Sequence, residues 1–194
     1  MVAHDSLSQV MTALACFILV YLATFEQSYS IIFPAVLLVS GLILQIYFSR
    51  KIEVVDSLVQ SAPNILFYTL VALAGIALAS FVAPLLQPPV QKMQLTPFHA
   101  MLYSLLIAVA EEQFFRGALL NFLLSSFKGL AFLAIALNAA VFTVYHFAVY
   151  QTAIGALVYV FIGGLVLAWV AWRSNRLSPS MLAHVINNLI ASLV

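Results

Sequence analysis

Glu111, Glu112 and Arg116 stand together inside one apolar stretch, and two later apolar stretches carry His146 and the group His184, Asn187 and Asn188. Carboxylates and imidazoles are the groups that take and return protons during hydrolysis. Carboxamide and imidazole N–H groups can hold a developing oxyanion. The spacing divides these tasks. Glu112 and Arg116 are i,i+4 with the acid first, the favoured orientation for a helical ion pair. They neutralise each other and leave Glu111, about 100° round the helix, as the carboxylate available to activate water. His184 and Asn188 are also i,i+4 and share a face, so both can donate to one oxygen. Asn187 points roughly a quarter-turn away from Asn188. No serine or cysteine accompanies the set, so a covalent acyl-enzyme is not expected.

The elements that position these groups must be membrane helices. Of 194 residues, 65 % are hydrophobic and 7 % charged, against about 45–50 % and 25 % in soluble domains. So few charges cannot coat a water-soluble globule of this size, which excludes a cytosolic enzyme, a disordered chain and a disulfide-rich secreted module. The net charge of +1 leaves no basic footprint for nucleic acid. One cysteine, Cys16, rules out an internal disulfide and a cysteine-based zinc site. The fold expected is all-α, a polytopic transmembrane bundle of about seven spans forming a single domain over residues 1–194, with the reactive groups in 98–194.

The spans run roughly Leu7–Phe25, Ser30–Ser49, Asn64–Leu86, Phe98–Leu124, Leu130–Val149, Ala153–Trp172 and Pro179–Val194, each about long enough to cross the hydrocarbon core. The first is read as a retained helix rather than a removable signal. Arg50, Lys51, Lys128, Arg173 and Arg176 fall on one side of this map and only Lys92 on the other. That asymmetry places the N-terminus in the cytoplasm and the C-terminus outside. Ile52–Ala62 reads as a short interfacial helix or a polar loop.

Three charges within a turn and a half would cost on the order of 8–10 kcal/mol if unpaired and facing lipid. They must therefore face the bundle interior and pair. Other polar residues have plainer readings. His4 and His99 lie near span ends and are solvated, Glu26 and Lys92 are loop charges, and Asn138 and Asn187 join helices by hydrogen bonds. Gly163-Gly164 lets helices approach closely. His146 taken alone would be a packing residue. The convergence of one carboxylate, two imidazoles and one amide on three spans sets these groups apart. On this map Glu111 is central, His184 near the cytoplasmic end and His146 near the outer end. The groups meet only if the helices are tilted and offset, or if the fifth span runs past Val149.

Glu111-Glu112-x-x-x-Arg116, Phe142-x-x-x-His146 and His184-x-x-x-Asn188 resemble the EExxxR, FxxxH and HxxxN motifs of the CPBP family, the CAAX-protease and bacteriocin-processing (Abi) intramembrane proteases. The order and the separate helices agree, and the resemblance covers the C-terminal half. It implies hydrolysis of a peptide bond at or near the membrane, as in type II CAAX prenyl endopeptidases, with a peptide or membrane-protein substrate that can be lipidated. Glu111 would be the catalytic carboxylate, Glu112 and Arg116 its supporting pair, His146 a water-positioning group, and His184 and Asn188 the oxyanion donors.

The residues leave two mechanisms open. In the preferred one Glu111 activates water without a cofactor. In the second, Glu111, His146 and His184 bind zinc, since two histidines and a glutamate form a known catalytic set; against it, Asn188 is a poor zinc ligand and no HExxH is present. Two other functions compete: a non-catalytic membrane partner or immunity protein of the same fold, and a proton-coupled transporter. The transporter would be expected to show repeated, matched broken helices, and none is visible.

Overall fold

Long apolar runs without interior proline favour helices that satisfy their own backbone hydrogen bonds, and helices make up all the regular structure among the described residues. The computed structural model describes residues 32–48, 62–82, 97–151 and 153–193, with Leu14, Ile18 and Leu85. In chain order the helices are α1 (Ile32–Phe48), α2 (Ala62–Val82), α3 (Pro97–Glu111), a π-helical segment (Glu112–Leu119), α4 (Leu120–Ser126), α5 (Ala131–Tyr150), α6 (Ile154–Ser174) and α7 (Ser178–Leu193). All of the expected first span except Leu14 and Ile18, and nearly all of Ile52–Ala62, lie outside the described residues, as do His4, Glu26 and Lys92.

Six of the seven expected spans coincide with helical rods. The helices over Asn64–Val82, Ala131–Tyr150 and Ile154–Ser174 are long and apolar enough to cross a membrane, and Ile32–Gln45 is a shorter apolar helix. The chain is an integral membrane protein. The fourth expected span is one rod, α3 through α4, but not a uniform one. Glu111, Leu119 and Leu120 keep right-handed helical dihedrals, so the π segment widens the rod without breaking it.

Polarity is arranged inside out. Leu66, Phe67, Leu78, Phe81, Phe132 and Val149 are exposed on the outer faces, as a lipid solvent requires. The π segment is the most polar helical stretch, yet every residue from Glu112 to Ala118 is buried. It touches α1, α5, α6 and α7. Leu37 and Leu44 of α1, Phe114 and Phe115 of the π segment, and Phe142 and Tyr145 of α5 form one buried cluster. Ala72 and Ile76 of α2, Leu167 and Val170 of α6, and Ala183 of α7 form a second.

Of the two adjacent glycines in α6, only Gly164 serves close approach. A Cβ there would meet Ala139 Cα, Ala139 Cβ and Phe142 Cδ1 at 3.3 Å, whereas one at Gly163 meets nothing within 4 Å.

Candidate active site

The two acids of the π segment take different partners. Glu112 Oε1 lies 3.0 Å from Arg116 Nη1, with both side chains fully buried. The same oxygen accepts a 2.9 Å hydrogen bond from His184 Nδ1. Arg116 also lies over the Phe142 ring, 4.2 Å from its centroid, and its Nη2 is 3.4 Å from the Gly164 carbonyl. A desolvated cation over an aromatic face is stabilised by the ring quadrupole. Glu112 and Arg116 thus form a closed pair with no exposed side-chain surface.

Glu111 faces the two imidazoles. His146 Nε2 is 3.8 Å from Glu111 Oε1, and His184 Nε2 is 3.5 Å from Glu111 Oε2. Each ring engages its other nitrogen locally, His146 Nδ1 with the Phe142 carbonyl at 2.9 Å and His184 Nδ1 with Glu112. With Nδ1 carrying the proton in both rings, each Nε2 is left directed at the Glu111 carboxylate. The Tyr145 hydroxyl lies beside the same carboxylate. Rings enclose His146, with Phe142 at 4.4 Å, Tyr145 at 4.9 Å and Tyr150 stacked at 6.0 Å.

Exposure of the side chains rises from zero at Glu112 and Arg116, through 4 % at Glu111 and 9 % at His184, to 14 % at His146. The cluster is therefore least covered on the His146 side. Within the rods, Glu111 lies near mid-length, His184 within two turns of the start of α7, and His146 about one turn before the end of α5. The groups nevertheless meet, so the helices are offset along the bundle and no extension of α5 past Tyr150 is needed.

Five of the six expected site residues are in mutual contact. Asn188 joins by register, half-buried one turn beyond His184 on α7. Its Oδ1 is 3.5 Å from Asn187 Nδ2, and Asn187 Oδ1 accepts the Tyr159 hydroxyl at 2.9 Å. Asn187 is thus an interhelical link, as expected, and it also neighbours the proposed oxyanion amide. No spacing rule marks Tyr145 in the sequence, because aromatic residues are common along α5. Among the described residues no group of three His, Cys, Asp or Glu is arranged as a metal-ligand set.

A family model described as Type II CAAX prenyl endopeptidase Rce1-like matches residues 93–190. The chain belongs to this family. The matched range holds all three motifs, from Glu111 to Asn188, and covers about half of the chain. Comparisons with curated proteins and with solved structures gave no match. Membership in the Rce1-like family implies a CAAX-type protease working within the membrane, and hence a peptide or protein substrate there.

Proposed function

We propose that the chain is an intramembrane endopeptidase in which Glu111 activates water directly. The observation that carries this reading is the division between the acids: Glu112 is tied by Arg116 and His184 Nδ1, while both oxygens of Glu111 face imidazole Nε2 atoms. Glu111 takes a proton from a water held beside His146. The resulting hydroxide attacks the scissile carbonyl carbon, and the carbonyl oxygen becomes an oxyanion. His184 and Asn188 donate to that oxyanion. The C–N bond then breaks and Glu111 returns its proton to the leaving amine.

His184 can donate from Nε2 only in its imidazolium form, since Nδ1 is engaged with Glu112. That form would also balance the cluster, in which two carboxylates face one guanidinium. Buried charges persist when paired in this way.

The seven-span topology, with a cytoplasmic N-terminus and an external C-terminus, is part of the proposal and rests on the asymmetry of Lys and Arg. So is a single transmembrane domain over residues 1–194. The substrate is a membrane-anchored peptide, CAAX-type or a related leader or C-terminal segment.

Zinc is the second reading, with Glu111, His146 and His184 as ligands. It is favoured by the two rings anchored through Nδ1, an arrangement also common in metal sites. Zinc would supply a Lewis acid to the water.

The test is Glu111→Gln in purified protein, assayed on membrane-anchored peptides with and without an S-prenyl cysteine. Loss of a general base predicts a fall in kcat of about 10²–10⁴-fold, with cleavage by the parent protein surviving a chelator. Chelator-sensitive cleavage restored by zinc would install the second mechanism. Unchanged cleavage by Glu111→Gln would remove both mechanisms. No cleavage by the parent protein would favour a non-catalytic partner, and proton flux in liposomes a transporter.

A further inference from the structure

We infer that the π segment is a positioning device: Asn138 of α5, with Gly41 and Gln45 of α1, holds Glu112–Leu119 in its wide register, and that register sets Glu111 against the two imidazoles. The inference rests on reading Glu111 as the reactive carboxylate.

π-Helical turns occur mostly as single-turn bulges, because the i→i+5 register competes poorly with the α register. Eight residues in this register, spanning Glu112 and Arg116, need support from outside the rod. The structure supplies it from two neighbouring helices. The Phe115 carbonyl accepts the Leu120 N–H, the i+5 bond that defines the wide turn. Its remaining acceptor capacity is taken by Asn138 Nδ2 at 2.7 Å. Asn138 is fully buried, and its Oδ1 meets no donor among the described residues. The amide is placed for that one donation.

α1 lies against the backbone of the same turn. A Cβ at Gly41 would come within 2.9 Å of Phe114 N and Cα and 3.1 Å of Gln113 C, so any larger residue there would push the π turn away. One turn further along α1, Gln45 accepts a buried hydrogen bond from Gln113. Gly41, Gln45 and Asn138 thus grip three consecutive residues of the π segment, Gln113 to Phe115.

The register matters because Glu111 stands at its start and Arg116 within it. Each residue of a π turn advances by less than the ~100° of an α-helix. Relaxation to α spacing would rotate Arg116 and its downstream neighbours relative to Glu111. With Arg116 held by the Gly164 carbonyl and the Phe142 ring, that rotation would shift Glu111 and Glu112 against His146 and His184. The contacts of Gly41, Gln45 and Asn138 described above fall on Gln113, Phe114 and Phe115, so their effect runs through the turn.

The experiment compares Asn138→Leu, of similar size but without a donor, with the parent protein and Glu111→Gln on the membrane-anchored peptides. Melting and size-exclusion profiles are measured in parallel. The Gln45→Leu/Gln113→Leu double variant is the second arm, since replacing both partners of a buried hydrogen bond by apolar groups is close to neutral for folding. Displacement of a reactive group by about 1 Å costs up to ~10²-fold. We therefore expect kcat per folded molecule to fall about 10–100-fold with KM nearly unchanged. A structure of either variant should show the Phe115 carbonyl accepting from Leu119 N–H instead of Leu120 N–H. A merely structural role would lower the melting temperature and leave kcat of the folded fraction unchanged. That result, or a π turn retained in both variants, overturns the inference. If Glu111→Gln cleaves like the parent, the functional reading fails instead, and the variant structures alone decide whether the grip holds the turn.

Discussion

Replacing Arg116 by methionine removes the cation from a pair that no solvent reaches and leaves Glu112 in place. Stranding one partner of a buried ion pair typically costs about 3–5 kcal/mol. Two local contacts adjust that range. Glu112 keeps its 2.9 Å hydrogen bond from His184 Nδ1, which holds the loss near the lower end. The guanidinium also leaves the Phe142 face, 4.2 Å away, a contact worth about 0.5–2 kcal/mol. A net loss of about 3–4 kcal/mol follows for Arg116→Met. At about 2–4 °C per kcal/mol for a chain of this length, the melting temperature should drop by roughly 6–16 °C. Thermal unfolding in detergent, followed by the fluorescence of Trp169 and Trp172, reads the shift. In Glu112→Leu/Arg116→Met the stranded charge is gone, and more than half of the loss should return. A single variant melting within about 2 °C of the parent, or a double variant no more stable than the single, would refute the closed-pair reading.

The two histidines should separate stability from rate. His146→Ala removes a ring whose close hydrogen bond is to its own helix and whose contact with Glu111 is 3.8 Å, so cleavage should fall while melting stays close to the parent. His184→Ala also strips Glu112 of a partner, and should lower the melting temperature along with a rate loss of about 10²–10³-fold; equal melting for the two variants would contradict the assigned contacts. For the adjacent glycines, Gly164→Ala should destabilise by about 1–3 kcal/mol through crowding of Ala139 and Phe142. Gly163→Ala should be neutral, or stabilising by about 0.5–1 kcal/mol from helix propensity. Calorimetric or fluorescence melts of both variants check the contrast, and the reverse order would show that the α5–α6 packing is misassigned.

The sequence exposes the charged residues of the site because a bilayer makes them conspicuous. Glu111, Glu112, Arg116, His146 and His184 are costly wherever they are unpaired, so their presence implies mutual contact, and the structure brings all five together. Helical spacing also identifies the Glu112–Arg116 pair. It does so without revealing the π register, because residues four apart remain neighbours in both kinds of turn. The wide register depends on Gly41, Gln45 and Asn138, which are far from it in sequence and carry no motif. Asn138 reads from sequence as an interhelical hydrogen-bonding residue, which it is, but the identity of its acceptor depends on packing. From sequence the offset of the rods is only one of two alternatives, the other being a fifth span that runs past Val149. Hydropathy fixes where a span lies along the chain, and only side-chain packing fixes how far one helix slides past the next.

Phe142 is in contact with both halves of the cluster. Arg116 lies 4.2 Å from its ring centroid, and His146 and His184 have ring centroids at 4.4 and 6.1 Å. Hydrolysis inside a bilayer makes opposed demands, since the reaction consumes water while a pair of buried charges survives only where water is kept out. A single benzyl group stands between the fully covered ion pair and the less covered imidazoles, so one ring serves both demands within one turn of helix.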